Sequence, residues 1–127
     1  NLLGFQEALV RKLVRELNPY DNVFFEIQNE PWADKGVKVK SGLRHTDPVQ
    51  AGAEGWHEVV ELGNPDRMAW QQRIASFVKS EESKLPKKHL IAQNVANFYA
   101  KITEPDPQVS IFHFHYALPQ AAYENQD

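Results

Sequence analysis

The chain has 127 residues, about the size of one ordinary domain. Its 42% hydrophobic and 24% charged residues mark a globular composition, neither disordered nor collagen-like. A net charge of −3 argues against a nucleic-acid or anionic-membrane partner, because both recruit a strong basic excess. Without cysteine there is no disulfide framework and no thiolate metal site, and no apolar run approaches the roughly 18 residues that span a bilayer.

The opening "NLLGFQEALV" reads as helix and lacks the basic and apolar regions of a signal peptide. With no leading methionine or flexible tail, it suggests a sequence that begins inside a larger protein. Over residues 5–17, Leu9, Val10, Leu13, Val14 and Leu17 recur at helical spacing, with Arg11, Lys12, Arg15 and Glu16 on the other face. This predicts an amphipathic helix that Asn18-Pro19 ends. After the turn residues Asp21-Asn22, "VFFEIQ" is short, β-branched and aromatic, and predicts a buried strand. Residues 33–64 have no clear period and contain Gly36, Gly42, Gly52, Gly55 and Gly63, so they read as a long loop. Asn64 then fits an N-cap and Pro65 the first helical position. Trp70, Ile74, Phe77 and Val78 give the following helix an apolar stripe, which Leu85-Pro86 stops. "HLIAQN" at 89–94 predicts a second strand, and "VSIFHFHY" at 109–116 a third, after the breaks at Pro105 and Pro107.

Helix, strand, helix, strand, strand fits a parallel sheet with crossover connections, and apolar runs suit strands buried on both faces. Three strands with about two covering helices leave open sheet edges. The α/β expectation is therefore a partial (β/α)8 TIM barrel with roughly three of its eight strands, residues 1–127 being a fragment of one catalytic domain. In such barrels functional groups gather at the C-terminal ends of the strands. That is where "QNEPW", "AQN" and "HFHY" fall.

"FFEIQNEPW" resembles the fourth-strand motif of the clan A glycoside hydrolases, the retaining β-glycosidases that include family-five cellulases and mannanases. "HFHY" resembles the end of the sixth strand in the same clan. The resemblance implies that the strands are the fourth to sixth, that Asn29 holds the sugar 2-hydroxyl, and that Glu30 is the general acid/base. It also implies that His115 and Tyr116 line the cleft, that the substrate is a carbohydrate such as a β-glucan, a β-mannan or a related glycoside, and that no cofactor is needed. The clan's nucleophile belongs to the seventh strand, so it is expected beyond Asp127. The fragment alone is then expected to be inactive, since Glu104, Glu124 and Asp127 are loop acids that nothing sets opposite Glu30.

The chemistry matches the residue types. Retaining cleavage needs a carboxyl that first protonates the leaving oxygen and later deprotonates the attacking water, the part given to Glu30. Trp32 offers an apolar face to a pyranose ring, and Trp56 is a weaker candidate of the same kind in the long loop. Glu26 and Gln28 share strand parity with Glu30. Glu26 reads as structural and in need of a cationic or hydrogen-bonding partner. His113 reads equally as cleft residue or hydrogen-bonded core histidine, and Gln93 and Asn94 as sugar contacts or turn residues. Two alternatives belong to other classes. One is a metal-dependent barrel hydrolase using His113 and His115 on one strand, and the other a non-catalytic carbohydrate-binding barrel that keeps the cleft.

Overall fold

The structure is a computed structural model that describes residues 1–40, 59–97, 102 and 105–114. Helix α1 spans Leu2–Leu17, followed by strands β1 (Phe24–Glu26), β2 (Val37–Lys40) and β3 (Val59–Leu62). Helix α2 covers Pro65–Glu82, and strands β4 (Leu90–Ala96) and β5 (Ile111–Phe114) complete the order. Asn64 caps α2 as its sequence predicts, its side chain accepting from the Arg67 N–H at 3.0 Å with Pro65 at the first turn. At the end of α1 the Asn18 N–H still reaches Val14 O at 3.0 Å, and Pro19, which has no N–H to give, stops the ladder.

β4 is the axis of the sheet. It runs parallel to β1, with Phe24 opposite Leu90 and Glu26 opposite Ala92, and parallel to β5, with Ala92 opposite Ile111 and Asn94 opposite His113. β3 joins it antiparallel at Leu62 opposite Ala96, and β2 pairs antiparallel with β3. The strand order is β1-β4-β3-β2, with β5 also on β4.

The fold is thus a small α+β arrangement of two helices and a five-stranded mixed sheet, and the expected partial (β/α)8 barrel is overturned. Residues read as loop form the antiparallel arms β2 and β3, and among the described residues no helix stands between β4 and β5. The physical reason is local. Val37-Lys38-Val39-Lys40 alternates apolar and charged residues, and Val59-Val60-Glu61-Leu62 is mostly β-branched or apolar, so two four-residue segments pair in full register. Three parallel strands remain from the expected pattern.

One core cluster, Val14, Ile74, Ala75, Val78 and Ile91, lies between the helices and the β1–β4 pair. A second, Val60, Val95 and Ala96, lies where the hairpin meets β4. Fully buried aliphatic side chains such as Ile91 contribute about 1.5–3 kcal/mol each. Within α1, Val14 is the buried member, whereas Leu9 and Leu13 of the predicted stripe face outward. The α1–α2 contact runs instead through Val10, Val14 and a polar flank: Arg11 and Arg15 to Glu81 at 3.3 and 3.5 Å, and Glu7 to Arg73 at 2.9 Å. The Lys84 ammonium, 3.1 Å away, and Arg11 beyond it hold the Glu81 carboxyl below the usual carboxylate range.

The N-terminal ends of the parallel strands are bolted together by polar groups. Buried Asn18 donates to Lys87 O at 2.9 Å and accepts from its N–H at 3.3 Å. His89 is buried beside Glu82, which has no exposed surface, with Nδ1 2.5 Å from Oε1. Its Nε2 lies 2.7 Å from Tyr20 O, and its ring edge meets Phe25 of β1. Both ring nitrogens lie against oxygens, an arrangement in which the protonated imidazole donates at each. The hydrogen bond to Glu82, then that to Tyr20, raises the His89 pKa above its ordinary value.

Candidate active site

At the opposite end of the parallel strands the chain turns sharply after β1. Ile27 still pairs, its N–H reaching Ala92 O at 3.1 Å, and the ladder then gives way to Gln28-Asn29-Glu30. Glu30 has φ 45, in the left-handed region that a non-glycine residue adopts only at a cost. A side chain from β4 holds it there: the Glu30 N–H donates to Asn94 Oδ1 at 2.9 Å. The next turn is closed by Ala33 N–H to Glu30 O and by Gly36 N–H to Trp32 O, both at 3.0 Å.

Packing fixes this turn from the other side. Pro31 is fully buried, and a Cβ at Gly63 would lie 2.9 Å from Pro31 Cβ, so a glycine is needed where β3 runs into α2. Gly36 meets the same demand, since its Cβ would lie 2.7 Å from Trp32 O. Asp34 forms an ion pair with Arg67 at 3.1 Å, tying the turn to the first turn of α2.

Asn94 is completely buried and organises the cluster. With Oδ1 turned to Glu30, its Nδ2 lies 3.0 Å from His113 Nδ1 and 3.4 Å from His113 O. His113 Nδ1 is also 3.0 Å from Glu26 Oε1. Gln71 of α2 donates to Asn94 O at 3.3 Å from behind the strand. Glu26, Asn94 and His113, one from each parallel strand, thus join in a chain that ends on the backbone of Glu30.

Of the residues expected from the sequence, Glu30, Asn94 and His113 are brought together. Asn29 is exposed at the start of the turn, outside the hydrogen bonds of this cluster. Trp32 is only 7% exposed, so in this arrangement it packs and offers no free face to a pyranose. Asn94 lies inside β4, which continues to Ala96, so it is no turn residue. His115, Tyr116 and Trp56 lie outside the described residues. Glu26, expected to point into a barrel and need a partner if buried, is exposed at the end of β1 and meets His113 Nδ1 at 3.0 Å, while Gln28 Oε1 is buried without a hydrogen-bond partner among the described residues. Sequence reasoning missed the Asn94–Glu30 contact and the left-handed turn. The one signal for them was an amide two residues past the apolar run Leu90-Ile91-Ala92, at the same depth in β4 as the motif that follows β1.

On this geometry the site pins the backbone of a carboxyl-bearing residue, Glu30, to a buried amide that also meets an imidazole and, through it, a second carboxylate. Among the described residues no three His, Cys, Asp or Glu side chains gather as a metal-binding group, and no helix is long and apolar enough to cross a membrane. No family model, curated protein or solved structure matches this chain.

Proposed function

We propose that the protein is a glycosidase of the retaining β-glycoside class in which Glu30 is the general acid/base. The observation that carries the reading is the left-handed backbone at Glu30, held by the amide of a fully buried asparagine from the neighbouring strand. A non-glycine residue at positive φ costs of order 1–3 kcal/mol, and such strain concentrates at active sites because the surroundings over-determine a useful orientation. An acid/base residue needs that property, since its carboxyl must meet a leaving oxygen at hydrogen-bond distance.

In this reading Glu30 donates its proton to the glycosidic oxygen as the C–O bond breaks, then takes a proton from the water that releases the sugar. Asn29, exposed beside it, holds the sugar 2-hydroxyl, a contact that strengthens in the transition state. The second carboxylate of a retaining pair is assigned to none of the described residues. The substrate is a β-linked glucan, mannan or related glycoside.

Replacement of Glu30 by Gln in the full-length protein tests this. Hydrolysis of β-glucan or β-mannan should fall by about 10²–10⁴. Aryl β-glycosides with good leaving groups, which need little protonation, should lose much less in the glycosylation step. Equal losses on both substrates at that step, or none, contradict the assignment.

A further inference from the structure

We propose that Glu26 is a positioning residue of this site: it fixes His113 in the tautomer that carries its proton on Nδ1, and so decides which groups hold Asn94. The inference rests on the functional reading above only in calling the cluster a catalytic site; its geometry stands by itself.

His113 Nδ1 lies 3.0 Å from two groups of opposite character, the Glu26 carboxylate oxygen and the Asn94 amide nitrogen. A ring nitrogen can donate or accept but cannot do both. Asn94 has no freedom to adapt, because its Oδ1 must face the Glu30 N–H, which leaves only the NH2 group for His113. With Nδ1 protonated, the ring donates to Glu26, and the planar NH2 of Asn94 keeps the main-chain oxygen of His113 at 3.4 Å as its acceptor, against a donor–donor contact with the ring that is weaker than one to a full negative charge. With Nδ1 bare, the ring accepts from Asn94 Nδ2, and the Glu26 carboxylate faces a lone pair at 3.0 Å, a repulsive contact. The charge on Glu26 therefore selects the first state, as a carboxylate orients a catalytic or metal-bound imidazole.

Glu26 is the last residue of β1, whose backbone pairs with Ala92 of β4, and His113 is paired opposite Asn94, so both reach the contact from fixed strand positions. The chain from Glu26 to His113, to Asn94 and to the Glu30 backbone makes Glu26 a determinant of how the Glu30 turn is held.

The test is the long-range proton–nitrogen spectrum of the His113 ring, recorded on the neutral ring in the full-length protein without substrate. Native protein should show Nδ1–H as the major form, the reverse of free histidine. Glu26→Leu should convert the majority to Nε2–H. It should also shift the Asn94 side-chain NH2 signals, as Nδ1 becomes their acceptor. Where Glu26→Leu does not fold, Glu26→Gln, which keeps the shape and removes the charge, should lower the Nδ1–H fraction. A native ring that is mainly Nε2–H, or a tautomer ratio unmoved by the folded variant, overturns the proposal. A purely structural Glu26 would change melting temperature and leave the ratio alone. Because no turnover is measured, failure of the glycosidase reading through Glu30→Gln and failure of this one are separate results.

Discussion

Two glutamate–histidine pairs stand at opposite ends of the same three parallel strands, and they differ in almost everything but chemistry. At the N-terminal end Glu82 and His89 are 0% and 6% exposed, 2.5 Å apart, and the imidazole has an acceptor at each nitrogen. At the C-terminal end Glu26 and His113 are 3.0 Å apart with side chains 33% and 40% exposed, and one ring nitrogen is contested between a carboxylate and an amide. The first pair is satisfied and locked, and its work is to join α2, the chain after α1 and the start of β4. The second is open to solvent on one side and coupled through Asn94 to a strained turn. The lesson is that an ion pair takes its role from burial and from what else competes for its atoms, not from its residue types.

The comparison breaks first at His89. Removing the imidazole with His89→Ala leaves Glu82 as a buried anion without its cation, so unfolding in urea should show a loss of about 3–5 kcal/mol. His113→Ala, at the half-exposed pair, should cost less than about 1 kcal/mol. Losses of equal size would dissolve the distinction.

The same contrast has a pH signature. Because folding raises the His89 pKa, the stability it contributes is complete below its ordinary value near 6.5 and is lost as pH rises through the raised folded value. Lys87, whose charge opposes protonation of His89, is itself paired with Asp21 at 2.6 Å. Urea midpoints should therefore decline on the alkaline side in the native protein, and the decline should be much weaker in His89→Gln. A midpoint that rises through this range contradicts a protonated latch.

Asn94 sharpens the other end. Asn94→Ala strips the acceptor from the Glu30 N–H and should destabilise by about 1–3 kcal/mol, with a fall in turnover larger than the stability loss explains. Activity that survives with native kcat would detach Asn94 from the site. The smallest effect is the most diagnostic in sign: Glu30→Gly removes the left-handed strain and should stabilise the fold by up to about 1 kcal/mol while abolishing activity. Lys35→Gly, at φ 61, should stabilise comparably and leave activity unchanged.

Much of the local structure was legible in the sequence, and the assembly was not. Asn64-Pro65 announced α2 because cap chemistry is contained within four residues, and Asn18-Pro19 ended α1 for the same reason. The hairpin was hidden because β2 and β3 are only four residues each and lie among glycines, so their alternation is too short to stand out. Glu30 was singled out from its motif, yet the contact that holds its backbone comes from Asn94, 64 residues away. Trp32 looked like a platform because an indole after a turn has no visible packing partner in one dimension. Its burial depends on how the turn closes through Gly36 and sits against the α2 start.

The central claim is that the turn built by Asn94 presents Glu30 as the acid/base of a retaining glycosidase. Glu30→Ala in the full-length protein, assayed on an activated aryl β-glycoside with and without sodium azide, tests it most directly. With the acid/base side chain gone, release of the enzyme-bound sugar should be slow, and azide, which needs no general base, should restore turnover and yield the β-glycosyl azide with retained configuration. A variant as active as the native protein without azide, or one that azide fails to rescue while aryl release remains slow, contradicts the account.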